Sequence, residues 1–348
     1  MTKRRATIED VASLAGVSIK TVSRVVNREP NVRESTQEKV EKAIKTLEYR
    51  PNPSARNLAS HRARLIVLVY DDSSVYETPS AGYIIKMQEG ALRACRPQGF
   101  DLLIQPCNFR NDDAGEKLRD QLVQVRPSGI VVAAPLSNMA TIVEAVKATN
   151  TPYVLMSSGN GSDDVFEVAT NDREISAEMT TYLASLGHKR IAFIKGDPTH
   201  IAVGKRYDGY LDGLKEAGLP YEEELVVNGD NSLESGQQCA EQLFKLENRP
   251  TAIFAANDDM AAGVMRVASR MGISIPGDLS VAGCDDIALA QILFPSLTTI
   301  RQPLRTMTET ASSALIEGSR GKPRDTGLET IPGAIQVRES TGPVRKNA

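Results

Sequence analysis

From residue 7 onward the chain opens on helical periodicity. Ile8, Val11, Ala12, Leu14 and Ala15 fall on one face of a first helix. Thr7, with Asp10 three residues on, reads as the capping box that starts it. Gly16 ends it, because glycine takes the left-handed backbone of a tight turn without steric penalty. Ser18 caps a second helix, Ile19 to about Val26, whose Val22, Val25 and Val26 point inward. A third amphipathic helix runs from about Ser35 to Leu47 and carries Val40, Ile44 and Leu47 as its apolar stripe. Two short helices joined by a glycine-containing turn are the parts of a helix-turn-helix.

After Leu65 the pattern changes to short apolar runs separated by amphipathic stretches. The predicted strands are Leu65–Tyr70, Phe100–Gln105, Gly129–Ala134, Tyr153–Met156, Arg190–Ile194, Leu225–Val227, Ala252–Ala255, Ser280–Gly283 and Leu297–Ile300. Helices such as Ile175–Leu186 and Ala261–Met271 lie between them. This alternation predicts parallel sheets covered by helices on both faces. Gly129–Ala134 and Ala252–Ala256 look like equivalent strands, so the body reads as two α/β lobes. Pro51 and Pro53 break the chain between head and body, and Pro53 can open a short helix at its first turn. The expected organisation is an all-α head over 1–50, a hinge over 51–62 and a two-lobed body over 63–348.

Charge sharpens that division. Residues 1–64 hold 14 basic and 7 acidic residues, a net of +7, while the remainder holds 27 and 37, a net of −10. A basic head on an acidic body implies that the head meets a polyanion. The hydrophobic fraction of 41% supports a large core, and no apolar run approaches the roughly 20 residues of a membrane span. Met1–Arg5 is basic but has no apolar stretch behind it, unlike a secretory signal, so a cytoplasmic protein is expected. Cys95, Cys107, Cys239 and Cys284 form no CxxC pair and read as buried free thiols. His61, His188 and His200 show no ligand spacing, so neither metal nor cofactor is expected.

The second helix is the expected reader of double-stranded DNA. Ile19, Lys20 and Arg24 sit where such a helix offers side chains to base edges in the major groove: Arg and Lys to guanine acceptors, an aliphatic group to a thymine methyl. Ser18, Thr21, Ser23 and Asn27 suit phosphate oxygens, which set register, and Thr7 completes the expected contact set of the head. In the body, ligands of open α/β sheets lie beyond the carboxyl ends of strands. Asp71-Asp72, Asn257-Asp258, Asp285-Asp286 and Gln302 follow such ends, and Arg206 opens a helix. Carboxylates and amides in a cleft suit a polyol, although the same residue types also cap helices. Asp72, Asp258 and Asp286 are the ones expected to be purely structural.

The run Thr7-Ile8-Glu9-Asp10-Val11-Ala12 through Val22-Ser23-Arg24-Val25-Val26-Asn27, with Tyr49-Arg50-Pro51-Asn52 after it, closely resembles the head of the lactose-repressor family. Arg206-Tyr207-Asp208-Gly209-Tyr210, Asn257 to Gly263, Ser280 to Asp286 and Leu297 to Pro303 resemble that family's body, itself similar to periplasmic sugar-binding proteins. The resemblance implies a homodimer on a palindromic operator and a hinge that folds over the DNA, with Asn52 and Ala55 near the duplex and Leu58 wedged into the minor groove. It places effector contacts on Arg206, Asn257, Asp285, Asp71 and Gln302. It also implies discontinuous lobes, one of about 63–165 with 297–326 and one of about 166–296 with 327–342. Three departures bear on the effector. Ser157-Ser158 stands where sugar-binding members often carry Asp, Ala202 where a hydroxyl residue can occur, and there is no Trp to stack on a sugar. Tyr76, Tyr83 or Phe294 would have to supply the ring. The C-terminus carries no leucine heptad like the one through which the lactose repressor forms tetramers.

These features point to a repressor controlled by a carbohydrate or a derivative, with a non-sugar metabolite such as a nucleobase as the alternative. A solute-binding protein for transport would fit the body but not the basic head. No P-loop, GxSxG, HExxH or Gly-rich dinucleotide turn supports an enzyme.

Overall fold

A computed structural model describes residues 6–26, 32–49, 64–72, 81–159, 164–323 and 326–345. The chain divides into two compact units, residues 1–63 and 64–348. The hinge positions Asn52, Ala55 and Leu58, together with Asn27 and Tyr76, lie outside the described residues.

In the head unit, α1 spans Ile8–Ala15, α2 Ile19–Val26 and α3 Glu34–Thr46. The capping box forms as expected: Asp10 N–H donates to Thr7 Oγ1, and Thr7 N–H donates to the Asp10 carboxylate at 2.8 Å. Gly16 closes α1 at φ 65°. Val11, Ala12, Val22, Val25, Val40 and Ala43 make one small core. That core fixes which face of α2 is left to solvent.

The body holds two six-stranded sheets. In the first, β1 (Leu65–Asp71), β2 (Asp101–Cys107), β3 (Gly129–Val132), β4 (Tyr153–Met156), β5 (Phe166–Ala169) and β11 (Gly327–Thr330) lie in the order β11-β5-β4-β3-β1-β2, all parallel. The second contains β6 (Ile191–Lys195), β7 (Val226–Asn228), β8 (Ala252–Ala255), β9 (Ser280–Cys284), β10 (Thr298–Arg301) and β12 (Ala334–Gln336). Its order is β12-β10-β9-β8-β6-β7, parallel except at β12. Both faces of each sheet are covered. Along β1, Ile66, Leu68 and Tyr70 enter one apolar cluster while Val67 and Val69 enter the other, the two-residue period of a strand buried on both sides. On the first sheet, α4 (Ala81–Cys95) packs with α11 (Leu304–Ser319), and α5 (Ala114–Val125) with α6 (Ala140–Lys147). On the second, α7 (Asp172–Ser185) packs with α8 (Ile201–Glu216), and α9 (Leu233–Leu243) with α10 (Asp258–Arg270).

The lobe boundaries fall later than the sequence implied. Phe166–Ala169 and Gly327–Thr330 belong to the first sheet, and Thr298–Arg301 to the second. The crossovers therefore sit near 170, 302 and 332, not near 165, 297 and 327. A strand must complete its hydrogen-bond ladder before the chain leaves the sheet, and a strand rich in polar residues, such as Gly327–Thr330, gives little apolar signal. Gly333 N–H donates to Asn171 Oδ1 at 2.8 Å, tying the first and third crossovers together.

Close helix packing in the second lobe rests on missing side chains. A Cβ at Gly209 of α8 would stand 2.1 Å from the Arg173 carbonyl oxygen of α7. Backbone cannot step aside as a side-chain tip can. Gly209→Ala is expected to destabilise the body by about 2 kcal/mol through overpacking, read as a lower urea midpoint with an unchanged slope. An unaltered midpoint would mean that the helices separate freely.

Candidate functional site

The core under α2 buries Val22 and Val25. On a helix with 3.6 residues per turn, the opposite face then carries Lys20, flanked by Ser23 and Arg24. Lys20 and Arg24 are exposed, one helical turn apart, and Ile19 is 48% exposed at the helix start. Ser18 Oγ accepts from Thr21 N–H at 3.1 Å and lies 2.9 Å from Thr21 Oγ1, so both hydroxyls frame the N-terminus of α2 while facing solvent. Thr7 differs from these. Its hydroxyl and its backbone N–H both donate to Asp10, so it serves the cap and has no donor left for a phosphate.

The body holds a cleft of about 620 Å³ between its two sheets. Asp71, Arg206, Asn257, Asp285 and Gln302, all expected as contacts, line this one cavity. Asp71 ends β1, Asn257 follows β8, Asp285 follows β9 and Gln302 follows β10, so parallel strands deliver each of them at a carboxyl end. Arg206 comes from the first turns of α8. Only 5% exposed, it donates through Nε to Asp172 at 2.8 Å and through Nη1 to the Ala256 carbonyl at 2.7 Å, with Asp285 Oδ1 4.0 Å from Nη1. The Gln302 amide donates to that same oxygen, Asp285 Oδ1.

Asn257 joins the two roles held apart above. Its Oδ1 caps α10 by accepting from Met260 N–H at 3.0 Å, while its Nδ2 donates to the Asn231 carbonyl at 2.8 Å beside the cleft. Asp258 and Asp286 are structural. Asp258 is fully buried and accepts from Ile287 N–H at 3.0 Å and from Thr299. Asp286 pairs with Arg301 and Arg338. Asp72 does not line the cleft, and burial together with neighbouring Asp71 raises its carboxyl above the usual value.

The stacking candidates separate. Tyr83 lines the cleft, whereas Phe294 is 95% exposed outside it. A residue in the loop ahead of β10 has no strand to carry it inward. Two of the departures, Ser157 and Ala202, do line the cavity. Sequence reasoning missed Asp197 and Asp230, which follow β6 and β7 much as Asp71 ends β1; the strand-end rule applied there points to both. Arg110, His200, Asn231, Ser232 and Asp259 carried no such signal. Burial lowers the His200 pKa, so its imidazole is neutral near pH 7.

Asp285 is 7% exposed, and burial pushes its carboxyl up to about 6 against the opposing pull of Arg206 and Gln302. A carboxyl raised in the folded state stabilises the fold below its unfolded pKa, and that contribution is lost as pH rises through about 6. Asp285→Asn is neutral throughout. Against that variant, the parent is expected to lose about 1 kcal/mol of stability between about pH 5 and about pH 7, read from urea midpoints. A gap independent of pH would contradict the raised value.

Residues 7–52 match the family model described as bacterial regulatory proteins, lacI family, and residues 180–341 match a periplasmic binding protein-like domain. The chain is 35% identical over 322 residues to the HTH-type transcriptional repressor PurR of Vibrio atlanticus (strain LGP32), covering 91% of this chain and 93% of that one. The chain belongs to the lacI family. As a lacI-family member it is a DNA-binding transcriptional repressor, which fits the absence of enzyme motifs. Among solved structures it resembles the lac repressor dimer bound to operator and the anti-inducer ONPF, at 28% identity and a TM-score of 0.82, over 97% of this chain and 100% of that one. It also resembles the transcriptional regulator CelR in complex with cellobiose, at 29% identity and a TM-score of 0.73, with the same coverage. Among the described residues no helix is long and apolar enough to cross a membrane.

Proposed function

We propose that this lacI-family repressor binds a palindromic operator as a homodimer in the cytoplasm, through the exposed face of α2 and the hinge, under control of a carbohydrate or carbohydrate derivative held between the lobes. The make-up of the cleft carries the effector reading. Asp71, Asp197, Asp230, Asp259 and Asp285 line it beside the amides of Asn231, Asn257 and Gln302, against two guanidinium groups, Arg110 and Arg206. Each carboxylate can accept from two hydroxyls, and the excess of acid disfavours a bare anion. Ile84, Met87, Pro135 and Val203 add an apolar wall for the C–H face of a sugar ring. The likeness to a regulator solved with cellobiose supports the same class. Tyr70 and Tyr83 in the cleft favour a second reading, a planar nucleobase held by ring stacking and amide pairing.

A thermal-shift screen of neutral sugars, sugar derivatives, nucleobases and phosphorylated metabolites separates the two. A sugar or derivative is expected to raise the melting temperature, and stabilisation by nucleobases alone would overturn the carbohydrate reading. Operator affinity with and without the hit then tells inducer from corepressor, because a ligand with equal affinity for both states shifts neither.

A further inference from the structure

One side chain of the cleft joins the two lobes directly. Arg110 stands in the loop after β2, in the first lobe. Its Nη1 lies 3.3 Å from Asp71 Oδ2 at the end of β1, and its Nη2 lies 3.3 Å from Asp197 Oδ2 after β6 of the second lobe. The guanidinium also lies over the Phe109 ring, 4.4 Å from its centroid, which holds it in that direction. It is 45% exposed, so it sits at the mouth, while the carboxylates it bridges are 10% and 18% exposed.

The sheet order shows why this position matters. The covalent crossovers leave from β5, β10 and β11, at or beside one edge of each sheet, whereas β1, β2, β6 and β7 lie toward the opposite edges. With neighbouring strands about 4.8 Å apart, Arg110 is roughly 15–20 Å from the crossover side. A contact at that distance moves far for a small hinge rotation. A second charged link between lobes among the described residues, Lys86 Nζ of α4 to the Asp285 and Asp286 carbonyls, follows β9, next to the crossover strand β10, and has little leverage on opening.

We propose that Arg110 is an interlobe latch of the effector cleft. Joined to Asp71 and Asp197, it holds the lobes together on the side away from the crossovers and covers the Asp71 carboxylate. Effector entry then requires the latch to open and exchanges an internal cation on Asp71 for ligand hydroxyls. A half-exposed ion pair is weak enough to give way to a ligand, and salt screens it.

The proposal rests on the effector reading only for which ligand opens the latch, and a ligand-free measurement tests the latch itself. Nitroxide labels at Asp120→Cys on α5 and Gln238→Cys on α9 report the distance between lobes; both positions are exposed, and the four native cysteines are buried. With labelled protomers diluted in excess unlabelled protein, so that a dimer carries one labelled protomer, double electron–electron resonance of the parent should give one narrow distribution at low salt. Arg110→Gln should shift weight to longer distances, and 1 M sodium chloride should do the same in the parent while adding little in the variant. Asp197→Asn, which keeps the Oδ1 that accepts from Thr199, should reproduce the shift from the other end. Matching distributions in parent and both variants, with circular dichroism unchanged, would overturn the latch. The carbohydrate reading could then still stand, since the sugar screen tests it separately.

Discussion

Arg206→Ala is expected to abolish the effector response and to destabilise the body by about 3–5 kcal/mol, the range for breaking a buried charge pair. The guanidinium holds Asp172, 4% exposed, and faces Asp285, while its second bond satisfies the Ala256 carbonyl at 2.7 Å. Alanine leaves two buried carboxylates without their guanidinium partner and one carbonyl without a donor. Burial already raises the Asp172 carboxyl in the intact protein, and Arg206 is what opposes it. Without Arg206 both acids should take up protons more readily in the folded state. Their contribution then follows the raised-pKa sign: present at low pH and lost as pH rises. The variant should therefore fall further below the parent at pH 7.5 than at pH 5.5 in urea unfolding. Arg206→Lys keeps the charge but not the fork of donors, so it should recover part of the stability and little of the response. Equal stability of Arg206→Ala and parent at both pH values would refute the network.

Arg24→Ala is expected to weaken specific operator binding tenfold to a hundredfold, about 1–3 kcal/mol, with a far smaller effect on non-specific DNA. Arg24 and Lys20 share the face of α2 that the Val22 and Val25 core leaves exposed, and a bidentate contact to guanine discriminates among bases whereas a phosphate contact does not. Fluorescence anisotropy with operator and scrambled duplexes, over a salt series, checks it. A phosphate role predicts equal losses on both duplexes and a salt slope reduced by about one. That result would move base reading away from Arg24.

Much of the head was legible because its signals are local. The Thr7–Asp10 box, the Gly16 turn and the Ser18 cap each act within three or four residues, and the structure places them where the sequence does. The strand-end rule found Asp71, Asn257, Asp285 and Gln302 for a similar reason, since the end of an apolar run marks where a parallel strand stops. It did not tell cap from contact, and Asn257 shows that one amide can be both. Phe294 looked like a stacking ring by composition alone, yet it is 95% exposed.

The sequence by itself determined the two kinds of unit, the solvent-exposed face of α2, the alternating architecture of the body and the residue types at the strand ends. Tertiary structure decided where the chain changes lobes, that Ser157 and Ala202 share a cavity with Asp285, and that Arg110 meets Asp71 and Asp197. Those contacts join positions tens to hundreds of residues apart. Helical and strand periodicities report only which face of a single element is buried. The strand order and the three crossovers bring remote loops to one cleft, and neither is written in the period of any one segment.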